Sequence, residues 1–380
     1  MNDVSPIARG RSPAPVRSFA RVPELDVLRG FAALSVLLFH YLERYQVLFG
    51  HTTEPSVRWT HGYYGVQLFF MISGLVIPLA AERSRDALAF AWSRFARLYP
   101  AYWIAGAFTY ALVLMVWLPG RVIPWWQAAL NVTMLQELFD LRNVDGTFWT
   151  LYVELTFYAV VFALVALRRL DRLGLVLLVW VAAGMLAQQV LPAVAPGLSR
   201  VITPHLERVG ITEWVHCFGL GYVVLRFSRL GRLGPVELGL LVLGLLRQYQ
   251  VSLHWSVILL AAFALILYLA VTGRMRFLAA APLLYLGALS YPLYLVHSNL
   301  GYVLIRGLEA NRFSADLAIG VATVVAFVLA AMIHHLVEDP VRAVLLGRAP
   351  GGALGPVRSY AEALRGGLVE PLVLPDREKP

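Results

Sequence analysis

Arg29 and His40 stand eleven positions apart, with ten residues between them, on one apolar segment that runs from Leu25 to Tyr41. Eleven positions at about 100° each return to nearly the same helix face, with a rise of roughly 16 Å. One face of a membrane helix would therefore carry a guanidinium near one surface and an imidazole near or past the bilayer centre. Ionisable groups at such depth are costly, and they face a polar pathway or a reaction site. A neutral imidazole titrates near working pH and suits the removal of a proton from a hydroxyl. A guanidinium suits the oxygens of a carbonyl or a phosphate.

Four further polar clusters lie in or beside apolar runs. Phe69-Phe70-Met71-Ile72-Ser73-Gly74 offers a hydroxyl next to a glycine; it fits an oxyanion donor or small-residue helix packing. Arg94-Phe95-Ala96-Arg97-Leu98-Tyr99-Pro100 sets two arginines three apart on one helix face. They suit phosphate oxygens, or they anchor a membrane boundary. Trp149-Thr150-Leu151-Tyr152-Val153-Glu154 carries a carboxylate that must point inward and find a donor. Ser290-Tyr291-Pro292-Leu293-Tyr294-Leu295-Val296-His297 places a proline and a histidine within one span. Pro292 frees a carbonyl and can kink the helix toward a cavity. His297 fits a catalytic role or a satisfied core histidine. His334-His335 and Glu338-Asp339-Pro340 read as a helix terminus with polar contacts; no third ligand has a spacing suited to a metal.

The elements that must position these groups are membrane helices. The chain has 380 residues, 59% hydrophobic and 14% charged, and a mean hydropathy of +0.67. That is too apolar for a soluble domain. The net charge is +9, nearly all from arginine, since Lys379 is the sole lysine. These arginines recur between apolar segments instead of forming a nucleic-acid patch. Cys217 is the single cysteine, which excludes a disulfide framework.

Apolar runs near 25–46, 62–81, 101–118, 148–167, 173–191, 213–227, 233–247, 255–272, 285–306 and 315–338 predict about ten spans. The segment 125–139 opens on Pro124-Trp125-Trp126 and reads as interfacial. One set of loops is arginine-rich, holding Arg83 and Arg85, then Arg168, Arg169 and Arg172, then Arg226, Arg229 and Arg232. The positive-inside rule puts that set in the cytoplasm, together with both termini. The expected class is all-α, a polytopic transmembrane helix bundle. Its expected parts are a disordered cytoplasmic tail over 1–22, a membrane domain over 23–341 and a cytoplasmic tail over 342–380. No cleavable leader precedes the first span in this reading.

Taken in order, these residues resemble the acyltransferase-3 family of integral membrane O-acyltransferases. The matching features are Arg29 and His40; Phe69-Phe70-x-x-Ser73-Gly74; Arg94-x-x-Arg97-x-x-Pro100; Trp149-Thr150-Leu151-x-x-Glu154; and Ser290-Tyr291-x-x-Tyr294-Leu295-x-His297. Thr150 stands where the family usually has serine, and Leu75 where it usually has phenylalanine.

The resemblance implies transfer of an acyl group, usually acetyl, from acyl-coenzyme A to a hydroxyl, often on a sugar. The chemistry of the residues fits His40, Glu154 and Ser73 as catalytic residues, with His40 as base, Glu154 orienting it if it reaches His40 or the acceptor, and Ser73 either facing the oxyanion or only packing. Arg29, Arg94 and Arg97 would bind the coenzyme A donor, and Trp149, Tyr291 and His297 the acceptor. Expected partners are membrane lipids, acyl-coenzyme A and a carbohydrate or glycolipid acceptor, with no nucleic acid, no metal and no tightly bound cofactor. The expected location is the bacterial inner membrane. The alternative is a carrier or flippase for a lipid-linked sugar or small anion, which intramembrane charge also fits.

Overall fold

A computed structural model describes residues 22–347; the expected tails fall outside the described residues except at their inner ends. The described chain is helical, and no strand occurs among its elements. Its helices are α1 Pro23–Phe39, α2 Tyr45–Leu48, α3 Gly65–Glu82, α4 Ala87–Val116, α5 Trp125–Asn131, α6 Trp149–Ala166 and α7 Leu173–Val194. They continue with α8 Pro196–Val209, α9 Val215–Leu230, α10 Pro235–Val251, α11 Ser256–Val271, α12 Ala281–Ala310, α13 Ala315–Ile333 and α14 Asp339–Leu345. A π-helical turn over His40–Arg44 joins α1 to α2, and another over His334–Glu338 joins α13 to α14.

Local sequence explains several starts and stops. Proline occupies the first turn of α1, α8, α10 and α12, where its missing N–H costs nothing. Asp86 caps α4 by accepting from the Ala89 amide, and Ser314 caps α13 by accepting from Leu317. Gly231 ends α9 with φ +65°.

Six helical stretches are long and apolar enough to cross a membrane: 23–48, 62–82, 87–116, 149–166, 170–194 and 315–345. The four remaining expected spans coincide with α9, α10, α11 and α12. α9 is buried along most of its length, and α12 buries Ser290, His297, Ser298 and Asn299 against protein. A helix sheltered by its neighbours is free to be short or polar, because it meets little lipid.

Contacts between residues give eight of the helices a direction relative to a neighbour. Tyr41 reaches His297 and Asp26 lies against Gly287, so α1 and α12 run parallel. Tyr102 packs on Phe148 and Arg94 sits by Tyr158, so α4 and α6 run antiparallel. Phe70 packs on Trp214 and Glu82 pairs with Arg229, so α3 and α9 run parallel. Leu178 meets Gly239 and Gln188 meets Arg247, so α7 and α10 also run parallel. These directions are the ones that ten alternating rods require.

Two close crossings hold the centre. Gly74 faces the Phe218 carbonyl and Gly221 faces the Met71 carbonyl, and a Cβ at either glycine would run into backbone. Gly30 and Gly287 let α1 and α12 approach in the same way. Backbone cannot yield as a flexible side chain can. Gly74→Val is therefore expected to destabilise the bundle by about 3 kcal/mol. Thermal unfolding of the detergent-purified protein, followed by size-exclusion chromatography, measures this; a wild-type melting profile would rule out the crossing as described.

The segment expected at the interface does not cross. α5 folds back against the middle of α4: Tyr102 donates to the Asn131 carbonyl at 2.6 Å, Trp103 to Val132 at 3.0 Å and Tyr99 to Thr133 at 3.0 Å. The loop after it carries Asp145 into the core, where it is fully buried.

Candidate active site

Five helices, α1, α3, α4, α6 and α12, enclose a cleft of about 60 Å³. It is lined by Arg29, Ser73, Arg97, Glu154, Tyr291 and Tyr294, with Phe69, Phe70, Thr150 and Ser290 among the rest. Four of the five sequence clusters and Arg29 thus meet on one cavity.

One end of the cleft is ionic. Arg29 is 7% exposed although it lies on an apolar helix. Its guanidinium is 3.9 Å from Asp26 and within electrostatic range of Arg97, Glu154 and Tyr158. Arg97 feels Tyr158, Glu154, Asp26 and Glu338. Arg94 has its guanidinium 5.9 Å from the Phe90 ring centre and 6.0 Å from that of Tyr158. Three guanidinium groups thus surround one carboxylate and one phenol, with Asp26 and Glu338 further out. Such a cluster is tolerated in a bundle interior only because the charges compensate one another. Glu338 comes from the π turn after α13, so the helix terminus that carries His334 and Glu338 closes this end. There His334 Nδ1 lies 2.8 Å from Glu338 Oε2.

Glu154 is the hub of this end. Ser73 Oγ donates to its Oε1 at 2.9 Å and Tyr158 OH donates to the same oxygen at 2.7 Å. Ser73 therefore gives its hydrogen to Glu154. Tyr158 lies four residues beyond Glu154, one helical turn further along the same face.

Next to the cleft, packed behind its lining residue Tyr294 but not themselves lining it, stand two histidines. His40 opens the π turn, where the helix carries one extra residue and its side chains are re-aimed; such bulges recur at functional sites. His40 Nδ1 lies 2.8 Å from the Val36 carbonyl and 3.3 Å from His297 Nε2. His297 is fully buried, with Nδ1 at 2.9 Å from the Tyr294 carbonyl and 3.2 Å from that of Leu293. A carbonyl only accepts, so the network assigns a hydrogen to both Nδ1 atoms. The single Nδ1 hydrogen of His40 goes to the nearer Val36 carbonyl, with the bare Nε2 of His297 as a longer second contact, and neutral His40 is left with a basic Nε2. Tyr41 OH donates to the His297 carbonyl at 2.9 Å and fixes that turn of α12.

Asp145, which does not stand out in the sequence, completes this group, and Thr150 and Tyr294 of the sequence motifs join it to the ionic end. Asp145 is the acidic group whose charge reaches His40. It accepts from the Asn299 amide at 3.0 Å and from Thr147 Oγ1 at 2.8 Å. Tyr294 OH and Thr150 Oγ1 are 2.9 Å apart, and Tyr294 packs on Phe69 with ring centres 5.6 Å apart. They connect the ionic end to the histidines.

The structure thus separates two pairings. Glu154 bonds to Ser73 and Tyr158, and His40 bonds to His297. Tyr291 lines the cleft and donates to the Leu98 carbonyl at 2.8 Å. Trp149 stands behind the lining, packed on Trp214 at 5.0 Å and near Phe70 at 6.4 Å.

The acyltransferase-3 family, described as an acyltransferase domain, matches residues 22–335. The chain is 28% identical over 383 residues to acyltransferase MdmB of Streptomyces mycarofaciens, covering 90% of this chain and 97% of that protein. It is 26% identical over 132 residues to putative acetyltransferase ORF330 of Acidianus two-tailed virus, covering 35% and 37%. No solved structure matches it. The matched region runs through every helix that lines the cleft, and so the chain belongs to the acyltransferase-3 family and is a multi-pass membrane acyltransferase.

Proposed function

We propose that the enzyme moves an acetyl group from acetyl-coenzyme A to a hydroxyl of a sugar-containing acceptor, a cell-surface glycan, glycolipid or glycosylated metabolite, at a bacterial inner membrane. One observation carries this reading: Arg29 of α1 joins Arg94 and Arg97 of α4 in a cluster at the cleft, and His40, in the π turn that follows α1, stands with His297 beyond the cleft's Tyr294 wall. Coenzyme A has the matching polarity, phosphates at one end and the thioester at the end of a long arm. Arg29, Arg94 and Arg97 hold the phosphates through charge-assisted hydrogen bonds. Glu154, tied by Ser73 and Tyr158, keeps those guanidinium groups apart and oriented.

At the far end His40 Nε2 takes the proton of the acceptor hydroxyl as its oxygen attacks the thioester carbon. The carbon–sulfur bond then breaks, and the coenzyme A thiolate leaves and takes a proton back. Asp145 offsets the positive charge that His40 carries between these events, and His297 holds the ring in place. Tyr291 and Tyr294 border the path of the arm, and Trp149 backs the wall beside it.

The test is to incubate membranes containing the protein with radiolabelled acetyl-coenzyme A and a total glycan and glycolipid extract. Label is expected in a sugar-containing product, released by mild alkali as an ester is. Label no greater than in membranes without the protein, or label that resists alkali as an amide, would overturn the reading.

A further inference from the structure

A second cavity lies between α7, α8, α10 and the loop before α9, apart from the cleft. It holds about 450 Å³ and is lined by Gln188, Gln189, Glu207, Glu213, Arg247 and Gln250, with Val251 as its apolar member. Its volume falls in the range of roughly 300–1,000 Å³ of small-molecule sites. Its wall is far more polar than is usual for such sites.

We propose that this cavity is a binding subsite for the sugar part of the acceptor. The proposal rests on the function given above. Arg247 is 2% exposed. Its Nη1 donates to Gln188 Oε1 and its Nε to the Thr212 carbonyl. Its Nη2 is buried and has no hydrogen-bond partner among the described residues. A buried guanidinium N–H without an acceptor is costly, and a ligand oxygen in the cavity would satisfy it. Gln188 in turn donates to Glu207 Oε1 at 2.6 Å, so the acidic and basic sides of the wall are pre-arranged.

The wall selects a chemical class. Two carboxylates repel an anion such as a phosphate. The open guanidinium repels a small cation. Six polar residues against one valine disfavour an acyl chain. A neutral polyol satisfies all of them, because each hydroxyl both donates and accepts. Carboxylates take its hydrogens, the guanidinium supplies one, and the amides do either.

The place also fits. Gln188 and Arg247 lie near the C-terminal ends of α7 and α10, whereas Arg94 and Arg97 lie in the first half of α4, which runs in the same direction. The cavity is thus at the end of the bundle away from the donor arginines. Glu213 is followed by Trp214, which packs on Trp149 at 5.0 Å and on Phe70 at 5.8 Å. Phe70 lines the cleft. The sugar site and the cleft therefore share one aromatic partition.

The experiment uses the full-length protein in lipid nanodiscs, labelled acetyl-coenzyme A, and the p-nitrophenyl glycosides of glucose, galactose, rhamnose and N-acetylglucosamine. For each glycoside that takes label, Glu213→Gln and Gln188→Ala are expected to raise the acceptor KM about tenfold, the worth of one charge-assisted hydrogen bond. The dissociation constant of acetyl-coenzyme A stays at the wild-type value and reports that the variants are folded. Arg247→Gln is the third variant and is expected to act in the same direction. Labelled glycoside with an unchanged acceptor KM in these variants overturns the subsite and leaves the proposed function standing. No label on any sugar overturns both.

Discussion

Replacing His40 with alanine is expected to lower the turnover of acyl transfer about a thousandfold, the usual worth of a positioned general base. A hydroxyl is a weak nucleophile while it keeps its proton, and His40 Nε2 is the basic atom that the hydrogen-bond network leaves beyond the Tyr294 wall of the cleft. The Nδ1 hydrogen of His40 is already given to the Val36 carbonyl at 2.8 Å. His297 cannot replace it, being fully buried with its Nδ1 turned to carbonyls. The loss is expected in kcat, with the affinity for acetyl-coenzyme A retained, because the arginines lie at the opposite end. Single-turnover transfer and equilibrium donor binding on the same purified protein separate the two. Wild-type turnover in His40→Ala, with normal amounts of protein in the membrane, would remove His40 from the chemistry.

The joint replacement of Arg94 and Arg97 by glutamine should raise the KM for acetyl-coenzyme A about a hundredfold, a factor of about ten for each charge-assisted bond lost. The cause can be isolated by changing the substrate. S-acetylpantetheine lacks the nucleotide phosphates, so it gains little from either guanidinium, and wild type and double variant should use it about equally. A hundredfold defect that persists with S-acetylpantetheine would mean that the arginines shape the cleft instead of holding phosphate. Arg29 remains in the double variant as a counter-charge for Glu154, so the cluster keeps part of its balance.

How far the site could be read from the sequence differed from residue to residue. Arg29 and His40 were legible from helical geometry alone, because the spacing that puts them on one face needs no tertiary information. The gathering of Ser73, Arg97, Glu154, Tyr291 and Arg29 on one cleft follows the same rule, since charge in a membrane helix must turn inward. The partner of His40 was not legible. Glu154 was the expected one, as the carboxylate in an apolar run. The acid whose charge reaches His40 is Asp145, which sits in a polar loop where a carboxylate attracts no notice. Only the folding back of α5 against α4 brings that loop into the core.

The boundaries missed for a related reason. The apolar pattern places the third span at 101–118, yet α4 begins at Ala87. Arg94 and Arg97 interrupt the apolar run, and both, half-buried, are balanced by Glu154 and Tyr158, contributed by a helix outside any local window. Two signals went unused. Tyr158 stands one turn from Glu154 and could have been picked out by that spacing. α8 is an amphipathic helix without a continuous apolar run, so a search for spans passes over it.

The parallel pairing of α1 with α12 also has a consequence for how the enzyme is made. His40 and His297 are 257 positions apart in the chain, and the glycine contact between Gly30 and Gly287 is of similar reach. Synthesis therefore delivers the first of these helices to the membrane long before its mate exists. Through that interval His40 lacks His297, and Arg29 lacks Arg97's helix and Glu154 until α4 and α6 have followed. A nascent segment with a guanidinium and an imidazole on one face is poorly suited to release into lipid. Its natural waiting place is the insertion machinery or a chaperone beside it, and the contact between His40 and His297 forms only once α12 arrives. The meeting of the two histidines is thus a late event of biogenesis, set by the order of the helices in the chain.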